Sequence, residues 1–221
     1  MDDYYHTNFQ EYYEQTFKIN PESFLIPLAD RLKPGARILD AGCGSGRDLL
    51  WLKQRGFHVI GFERSPGLAE LARKHAGCKV MEGDFRTFDF SQISVDAIVL
   101  IGALVHIFHD EMLDIFENIL HALRPEGHVL VSMKQGTGTK TAKDGRIFYL
   151  WQDDDLRQMF QQKHCHVADF SVQISAVRAE DVWLAYVLQS ESATCQSVQD
   201  EAPGPAEKSP CHKSVVVVQI C

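Results

Sequence analysis

The sequence predicts an α/β protein with a mostly parallel, doubly wound sheet, and three observations support this. Helical patterns alternate with short apolar runs along most of the chain. One apolar run breaks into a glycine turn that leads into a helix, and acidic residues follow three of the runs. Alternation at this spacing is typical of a parallel sheet that binds its ligand beyond the carboxyl ends of the strands.

The elements can be placed in order along the chain. Residues 9–32 predict one or two helices, with Asn20 as a cap before Pro21 at a helix start. The sequence Lys33-Pro34-Gly35 then predicts a turn into the first strand. Later helical patterns cover 48–55, 67–75, 111–123 and 154–162, and strand-like runs cover 95–101, 128–133, 167–174 and 182–188. The last two runs can pair as a hairpin because their connection is short.

The glycine turn lies in residues 37–50, RILDAGCGSGRDLL. Gly42, Gly44 and Gly46 have the spacing G-x-G-x-G, whereas a dinucleotide fingerprint has G-x-G-x-x-G. The first two glycines let the backbone approach a ligand, and Gly46 lets the helix start close to the strand. Asp40 supplies an anion at the strand end. This pattern favours the amino-acid portion of S-adenosylmethionine over a nucleotide diphosphate, although a glycine turn can also be ordinary loop structure.

Two further acids follow the next apolar runs. Glu63 ends the run FHVIGFE and falls 17 residues after Gly46. A carboxylate there can accept the hydroxyls of a bound ribose. Asp84 and Phe85 follow a third run, where an acid can accept the adenine amino group and an aromatic ring can cover the base. Each acid alone could be an ordinary loop residue, but the three together predict one ligand-binding edge.

At these residues the chain resembles the class I S-adenosylmethionine-dependent methyltransferases, over about residues 4–189. The resemblance is closest to a bacterial group with the first motif GCGSGRD. It implies a Rossmann-like, seven-stranded sheet with an antiparallel last strand. It also implies that Tyr5, Tyr12 and Tyr13 form a lid over the cofactor, with Phe9 bulkier than the residue usual there. The predicted cofactor-binding residues are Tyr5, Tyr13, Asp40, Gly42, Cys43, Gly44, Gly46, Glu63, Arg64, Asp84, Phe85, Ile101 and Gly102.

The segment after the fourth strand supplies candidates for the acceptor side. Residues 101–106, IGALVH, lack the carboxamide and prolines that base-methylating enzymes often carry there. His106 is the predicted catalytic residue, and His109 follows at helical spacing; either could be a general base, or satisfy backbone or surface contacts. A metal site is not predicted, because the two histidines have no third ligand with a clear place in the sequence.

A second candidate region covers residues 134–151, which are glycine-rich and cationic, then aromatic. A mobile segment in this position would cover the substrate. The bacterial group also has a glycine, an arginine and an aromatic here, matched by Gly145, Arg146 and Phe148. Arg146 is the second predicted catalytic-site residue, suited to a carboxylate or another planar anion; the alternative is a surface pair with Asp153 or Asp154.

Composition limits the functional class. The net charge is −8, and the last 32 residues carry four acids and two lysines, so residues 1–189 keep −6. This disfavours a nucleic-acid partner, although a local basic groove remains compatible. The prediction is a methyltransferase acting on a small-molecule acceptor by in-line displacement. The alternatives are a tRNA-modifying methyltransferase of the same fold and a protein that binds S-adenosylmethionine without catalysis. A cysteine relay for a metalloid acceptor receives little support, because the cysteines are scattered.

The remaining predictions concern organisation and location. Residues 1–189 are predicted to form one methyltransferase domain with an N-terminal helical lid, as a monomer or homodimer. Residues 190–221 are predicted to be a disordered tail, although the run SVVVVQIC could also form an edge strand. The sequence predicts a cytoplasmic protein with no membrane partner, because it has no long apolar run and no apolar leader. The thiols are predicted to be free, because the cysteines form no C-x-x-C pair.

Overall fold

A computed structural model describes residues 4–175, 178 and 180–191 of the chain. Its main sheet has seven strands in the order β3-β2-β1-β4-β5-β9-β8, and β6 pairs with β7 in a separate two-stranded ribbon. The strands are β1 (Arg37–Ala41), β2 (His58–Glu63), β3 (Val80–Glu82), β4 (Val95–Ile101), β5 (Leu123–Lys134), β6 (Thr139–Thr141), β7 (Ile147–Tyr149), β8 (Cys165–Ile174) and β9 (Val182–Ser190).

The strand directions confirm the predicted fold class. Strands β1 to β5 pair in parallel, whereas β9 runs antiparallel to both β5 and β8. The short connection between β8 and β9 lets β9 insert between β5 and β8. The strand order reverses between β1 and β4, and a doubly wound sheet opens its ligand crevice at such a point.

The helices follow the predicted order with small shifts at their ends. They are α1 (Tyr4–Thr7), α2 (Phe9–Thr16), α3 (Glu22–Ala29), α4 (Arg47–Gln54), α5 (Pro66–Ala76), α6 (Met112–Leu120) and α7 (Asp153–Gln162), with a short 3₁₀ turn at Phe90–Gln92. The predicted helix over 111–123 was too long at its end, since α6 stops at Leu120 and Leu123 begins β5. Leu123 instead pairs with Val95 of β4, so pairing in the sheet takes over the end of the predicted helix.

Apolar side chains cover both faces of the sheet. On β1, Leu39 packs into the cluster that includes α6 and α7, whereas Ile38 packs into the cluster that includes α3 and α4. On β4, Ile98 and Val99 divide between the same two clusters. Alternate residues of a strand point to opposite faces, so these central strands are buried on both sides. Such burial fixes the carboxyl ends of β1, β2 and β4 relative to one another.

Three segments differ from the predicted element boundaries. The N-terminal region contains α1 ahead of the predicted helices, and residues 134–151 form the end of β5 and the β6–β7 ribbon. Strand β9 ends at Ser190, one residue beyond the predicted boundary at 189. The predicted tail covers residues 190–221, and its residues from 192 onward lie outside the described ranges. Within the described ranges, none of the helices combines the length and apolarity needed to cross a bilayer.

Candidate active site

The glycine turn joins β1 to α4 at the carboxyl edge of the sheet. Gly42 has φ +84°, and a Cβ on it would lie 2.6 Å from Ala103 Cβ. Gly46 has φ +86°, and a Cβ there would lie 2.7 Å from Ala72 Cα on α5. L-residues with side chains rarely adopt these φ values, and both positions lack room for a methyl group. Glycine is therefore required at both positions for the backbone to follow this path.

Glu63 ties the end of β2 to the glycine turn. Its Oε2 accepts a hydrogen bond from the backbone N–H of Gly44 at 2.9 Å. Its Oε1 accepts from the N–H groups of Arg64 and Ser65 at 2.9 and 2.8 Å. Burial raises the pKa of Glu63, and these three bonds oppose that rise. A carboxylate has about four acceptor sites, so Glu63 keeps about one site for a ligand unless a backbone contact is released.

A cavity of about 460 Å³, here called the Glu63 cavity, lies beyond the ends of β1, β2 and β4. Its wall includes Gly42, Glu63, Arg64, Asp84, Phe85 and Phe108. Asp84 Oδ1 accepts from the N–H of Arg86 at 2.9 Å, and its Oδ2 lies 3.5 Å from Arg64 Nη1. The structure therefore brings the predicted ribose acid and the predicted adenine residues to one cavity. Phe108, which is 44% exposed, is a wall residue that the sequence analysis did not find.

Asp40 is buried beneath the glycine turn. Its Oδ2 has no hydrogen-bond partner among the described residues. Burial raises the pKa of Asp40 well above its usual range, and the nearby Asp48 carboxylate raises it further. Asp48 itself accepts two hydrogen bonds from Arg47, at 2.7 and 3.0 Å. Asp40 therefore leaves one buried carboxyl oxygen unpaired among the described residues, next to the glycine turn but in the wall of neither cavity.

The N-terminal segment covers the glycine turn. Tyr5 and Tyr12 line the Glu63 cavity, and Ser65 Oγ donates to the carbonyl oxygen of Tyr5 at 2.7 Å. Tyr12 Cε1 lies 3.6 Å from where a Gly44 Cβ would be. Tyr13 instead stacks on His75, with ring centroids 4.9 Å apart. Successive helical residues point about 100° apart, so of the two predicted lid residues Tyr12 lies over the turn, whereas Tyr13 lines neither the Glu63 cavity nor the second cavity described below.

Phe9 anchors this segment on α5. A Cβ at Gly67 would lie 2.6 Å from Phe9 Cγ, so the phenyl ring rests directly on the glycine. The bulky residue at position 9 is accommodated because position 67 has no side chain. Phe9 and Gly67 therefore form a matched contact that sets how close the segment lies to the ligand edge.

A second cavity of about 500 Å³, here called the Lys134 cavity, also borders the glycine turn. Residues shared by both cavities mark the junction between them. They are Tyr5, Tyr12, Gly42, Gly44, Ile101, Gly102 and Arg146. Gly102 has φ +62°, and a Cβ on it would lie 3.2 Å from Trp183 Cη2. The predicted residues Ile101 and Gly102 thus lie where the two cavities meet.

A directed chain of hydrogen bonds crosses the junction. His106 Nδ1 lies 2.6 Å from the carbonyl oxygen of Ile147, so Nδ1 carries the proton and donates it. His106 Nε2 is then the acceptor for Tyr5 Oη at 2.9 Å. Tyr5 Oη in turn accepts from Arg146 Nη1 at 3.2 Å. Burial lowers the pKa of His106 to about 4, so the imidazole is neutral near pH 7.

Besides the Arg47–Asp48 pair, the cations of the Lys134 cavity pair with two carboxylates, Asp181 and Asp144. Lys134, which is 5% exposed, and Lys140 both donate to Asp181. Arg146 donates to both oxygens of Asp144, at 3.1 and 2.7 Å, and this pair replaces the predicted alternatives Asp153 and Asp154. Burial raises the pKa of Asp181, but hydrogen bonds from the two lysines outweigh burial and the net shift is downward. Asp181 was not found from the sequence, since nothing in its local pattern reveals its partner.

The other predicted site residues lie as follows. Cys43 lines the Lys134 cavity, and burial raises its pKa well above the usual range, which does not suit a thiolate nucleophile. His109 lines neither of the two cavities; its Nε2 lies 2.9 Å from the carbonyl oxygen of Leu150. The described residues contain no cluster of three or more potential metal ligands.

Comparisons with known proteins agree with this geometry. Residues 38–127 match the family model described as a methyltransferase domain. An uncharacterized methyltransferase of Oceanobacillus iheyensis is 31% identical over 112 residues, which cover 50% of this chain and 52% of that protein. A probable tRNA methyltransferase 9B of Mus musculus is 32% identical over 100 residues, covering 45% of this chain and 22% of that protein. The chain therefore spans about half, or less, of the length of these relatives.

The fold also matches solved structures. The 1,6-didemethyltoxoflavin-N1-methyltransferase of Burkholderia thailandensis superposes with a TM-score of 0.69 at 19% identity, covering 86% of this chain and 84% of that one. The narrower bacterial group indicated by GCGSGRD stays a prediction. The family match, the strand order and the acids at the strand ends agree on one conclusion. Residues 38–127 are similar to a methyltransferase domain, and the chain as described has the fold of solved methyltransferases.

Proposed function

We propose that this chain is an enzyme that transfers the methyl group of S-adenosylmethionine to a compact small-molecule acceptor. The observation that carries the proposal is the meeting of two cavities at the glycine turn, where Gly42, Gly102 and Tyr5 belong to both walls. When bound, S-adenosylmethionine supplies an electrophilic methyl group on a sulfonium centre. In-line transfer needs two ligands held on opposite sides of one junction and shielded from water.

The residues of the Glu63 cavity suit this cofactor. Glu63 and Asp84 would accept hydrogen bonds from the ribose and the adenine amino group, and Phe85 would cover the base. Glu63 would hold both ribose hydroxyls only if it exchanged a backbone contact, such as that with Gly44. A cationic amino group bound at the glycine turn would favour the ionised form of the buried Asp40 carboxyl behind it.

Tyr5 and His106 provide a path for a proton on the acceptor side. Tyr5 Oη lies at the junction and already donates to His106 Nε2 at 2.9 Å. Tyr5 can take a proton from the acceptor as its own proton moves to His106 Nε2, and the Ile147 carbonyl oxygen stabilises the resulting imidazolium through Nδ1. Arg146 holds the phenol oxygen in place. These residues therefore position the acceptor side and hold a proton there.

A tRNA-modifying activity is the second candidate, because a named relative is a probable tRNA methyltransferase. The domain charge of −6 and the absence of the carboxamide and prolines after β4 both favour a small acceptor. The size of the Lys134 cavity, about 500 Å³, also suits a compact molecule.

A transfer assay with radiolabelled S-adenosylmethionine tests the proposal. The purified chain is incubated with pools of small acceptors or with unmodified tRNA, and label is followed into each fraction. We expect label in a small-molecule pool, and a strong loss of transfer in Tyr5→Phe. Transfer to tRNA alone would support the second candidate. Cofactor binding without transfer to any pool would support a non-catalytic binding protein and contradict the proposal.

A further inference from the structure

Asp181 is surrounded by more positive charge than it can neutralise. Its side chain is 5% exposed, and it accepts from Lys134 through one oxygen and from Lys140 Nζ at 2.6 Å through the other. Lys134 is also nearly buried, with its side chain 7% exposed. One carboxylate therefore serves two ammonium groups, and the cluster keeps one positive charge.

Asp144 repeats this arrangement with two guanidinium groups. Arg146 makes a two-point pair with it, and Arg178 Nη2 lies 3.3 Å from the same Oδ2 that Arg146 contacts at 2.7 Å. The Arg146 side chain is 10% exposed and the Asp144 side chain is 25% exposed. This second cluster also keeps one positive charge.

Both clusters contribute to the wall of the Lys134 cavity, through Lys134, Asp181, Arg146 and Arg178. The other charged residues of this wall are Arg47 and Asp48, which neutralise each other as a pair. The cavity thus carries about two excess positive charges, although the whole chain has a net charge of −8. Cations withdrawn from water without matching anions are unfavourable, so a ligand anion would stabilise this arrangement.

Aromatic rings link the cationic clusters to the junction. Lys134 Nζ lies 4.0 Å from the centroid of the Phe148 ring and 5.3 Å from that of Trp183. Trp183 also lies beside Gly102, at the meeting of the two cavities. A compact acceptor can therefore place a charged end at Lys134 and Arg146 while its other end reaches the junction.

We infer that the Lys134 cavity binds a doubly charged anionic group of the methyl acceptor, with Lys134 and Arg146 as its ligands. This inference rests on the proposed function, because it treats the cavity as the acceptor site. Phosphate monoesters and dicarboxylates share the required charge. A phosphate group is tetrahedral and a carboxylate is planar, so binding of one ligand from each class can be compared.

Fluorescence titration tests the inference on the full chain saturated with S-adenosylhomocysteine, with Trp183 as the reporter and Trp183→Phe as the check on the signal. The probes are glycerol 1-phosphate with glycerol as its neutral match, and succinate with succinamide as its neutral match, at constant ionic strength. We expect saturable binding of at least one dianion, and binding of its neutral match at least about tenfold weaker. No saturable dianion binding to the folded, loaded protein would overturn the inference.

Charge-removing variants locate the site. Lys134→Gln and Arg146→Gln should each weaken dianion binding by about tenfold to a hundredfold. Lys143→Gln removes a charge from the nearby β6–β7 turn, where the side chain is exposed, and should change binding less than about twofold. Equal effects of all three variants would show that the anion binds elsewhere and would overturn the inference.

If removal of a buried cation prevents folding, the inference can be tested at two positions that are more exposed, Lys140 and Arg178. Lys140→Gln and Arg178→Gln leave Lys134 and Arg146 paired one-to-one with their carboxylates, and each should weaken dianion binding severalfold. Unchanged binding in both would contradict the charge argument. Failure of S-adenosylhomocysteine to bind would overturn the proposed function instead, and the same titration without it would still test the anion site.

Discussion

The neutral, buried state of His106 leads to a specific prediction about stability and pH. Its pKa is lowered to about 4 in the folded protein, chiefly by burial, from an ordinary value of 6.5. The unfolded chain therefore binds the proton more readily than the folded chain. The stability that this residue contributes is present above pH 6.5 and is lost as the pH falls toward 4. Over the interval from pH 7 to pH 5, these pKa values correspond to a loss of about 2 kcal/mol.

Replacing the imidazole should remove this part of the pH dependence. The assay is urea unfolding of the wild type and of His106→Gln at pH 7 and pH 5, comparing the fall in free energy of unfolding. We expect the wild type to fall by about 2 kcal/mol more than the variant. Tyr5→Phe is the matched control, because it removes the hydrogen bond at Nε2 but keeps the imidazole, and it should retain most of the extra fall. Equal falls in wild type and His106→Gln would refute the assignment of a buried, neutral imidazole.

Three further predictions concern the ligand edge and the chain end. Glu63→Ala should weaken S-adenosylhomocysteine binding, measured by calorimetry, by about 1–3 kcal/mol. It should also lower the urea midpoint, because three N–H groups lose their acceptor. Unchanged affinity would refute the role of Glu63. Gly67→Ala should displace Phe9 and weaken cofactor binding by about tenfold, which corresponds to an overpacking effect of about 1–2 kcal/mol. The double variant Gly67→Ala/Phe9→Ala should largely restore binding. If the double variant binds no better than Gly67→Ala, the matched contact does not control the lid. Truncation after Glu191 should leave the thermal midpoint unchanged, whereas truncation after Val187 should lower it because it shortens β9. A lower midpoint after truncation at Glu191 would show that the tail supports the domain.

Local sequence patterns predicted most of the fold and one side of the site. The continuous apolar runs of β1 and β4 are typical of central strands buried on both faces, and the glycine turn after β1 marks the carboxyl edge of the sheet. Glu63 and Asp84 could be assigned to that edge because Glu63 ends β2 and Asp84 lies two residues after the end of β3. In a parallel sheet these ends meet, so short-range information is sufficient there.

The other side of the site depends on long-range pairing. Lys134 and Asp181 are 47 residues apart, and their pairing follows from the antiparallel contact of β5 with β9. The choice between Tyr12 and Tyr13 depends on the rotation of a short helix, which sequence periodicity fixes poorly over eight residues. His106 was found as a candidate, but its tautomer required the positions of Tyr5 and Ile147. Sequence alone therefore identified the residue types without their partners.

If the Glu63 cavity, bordered by the glycine turn, holds the cofactor of a methyltransferase, the purified full chain must bind S-adenosylhomocysteine. Isothermal titration calorimetry measures this binding. We predict saturable, micromolar binding of about one molecule per chain, lost in Gly42→Ala because a Cβ there would lie 2.6 Å from Ala103 Cβ. A folded protein that shows no saturable heat with S-adenosylhomocysteine or S-adenosylmethionine would contradict the account.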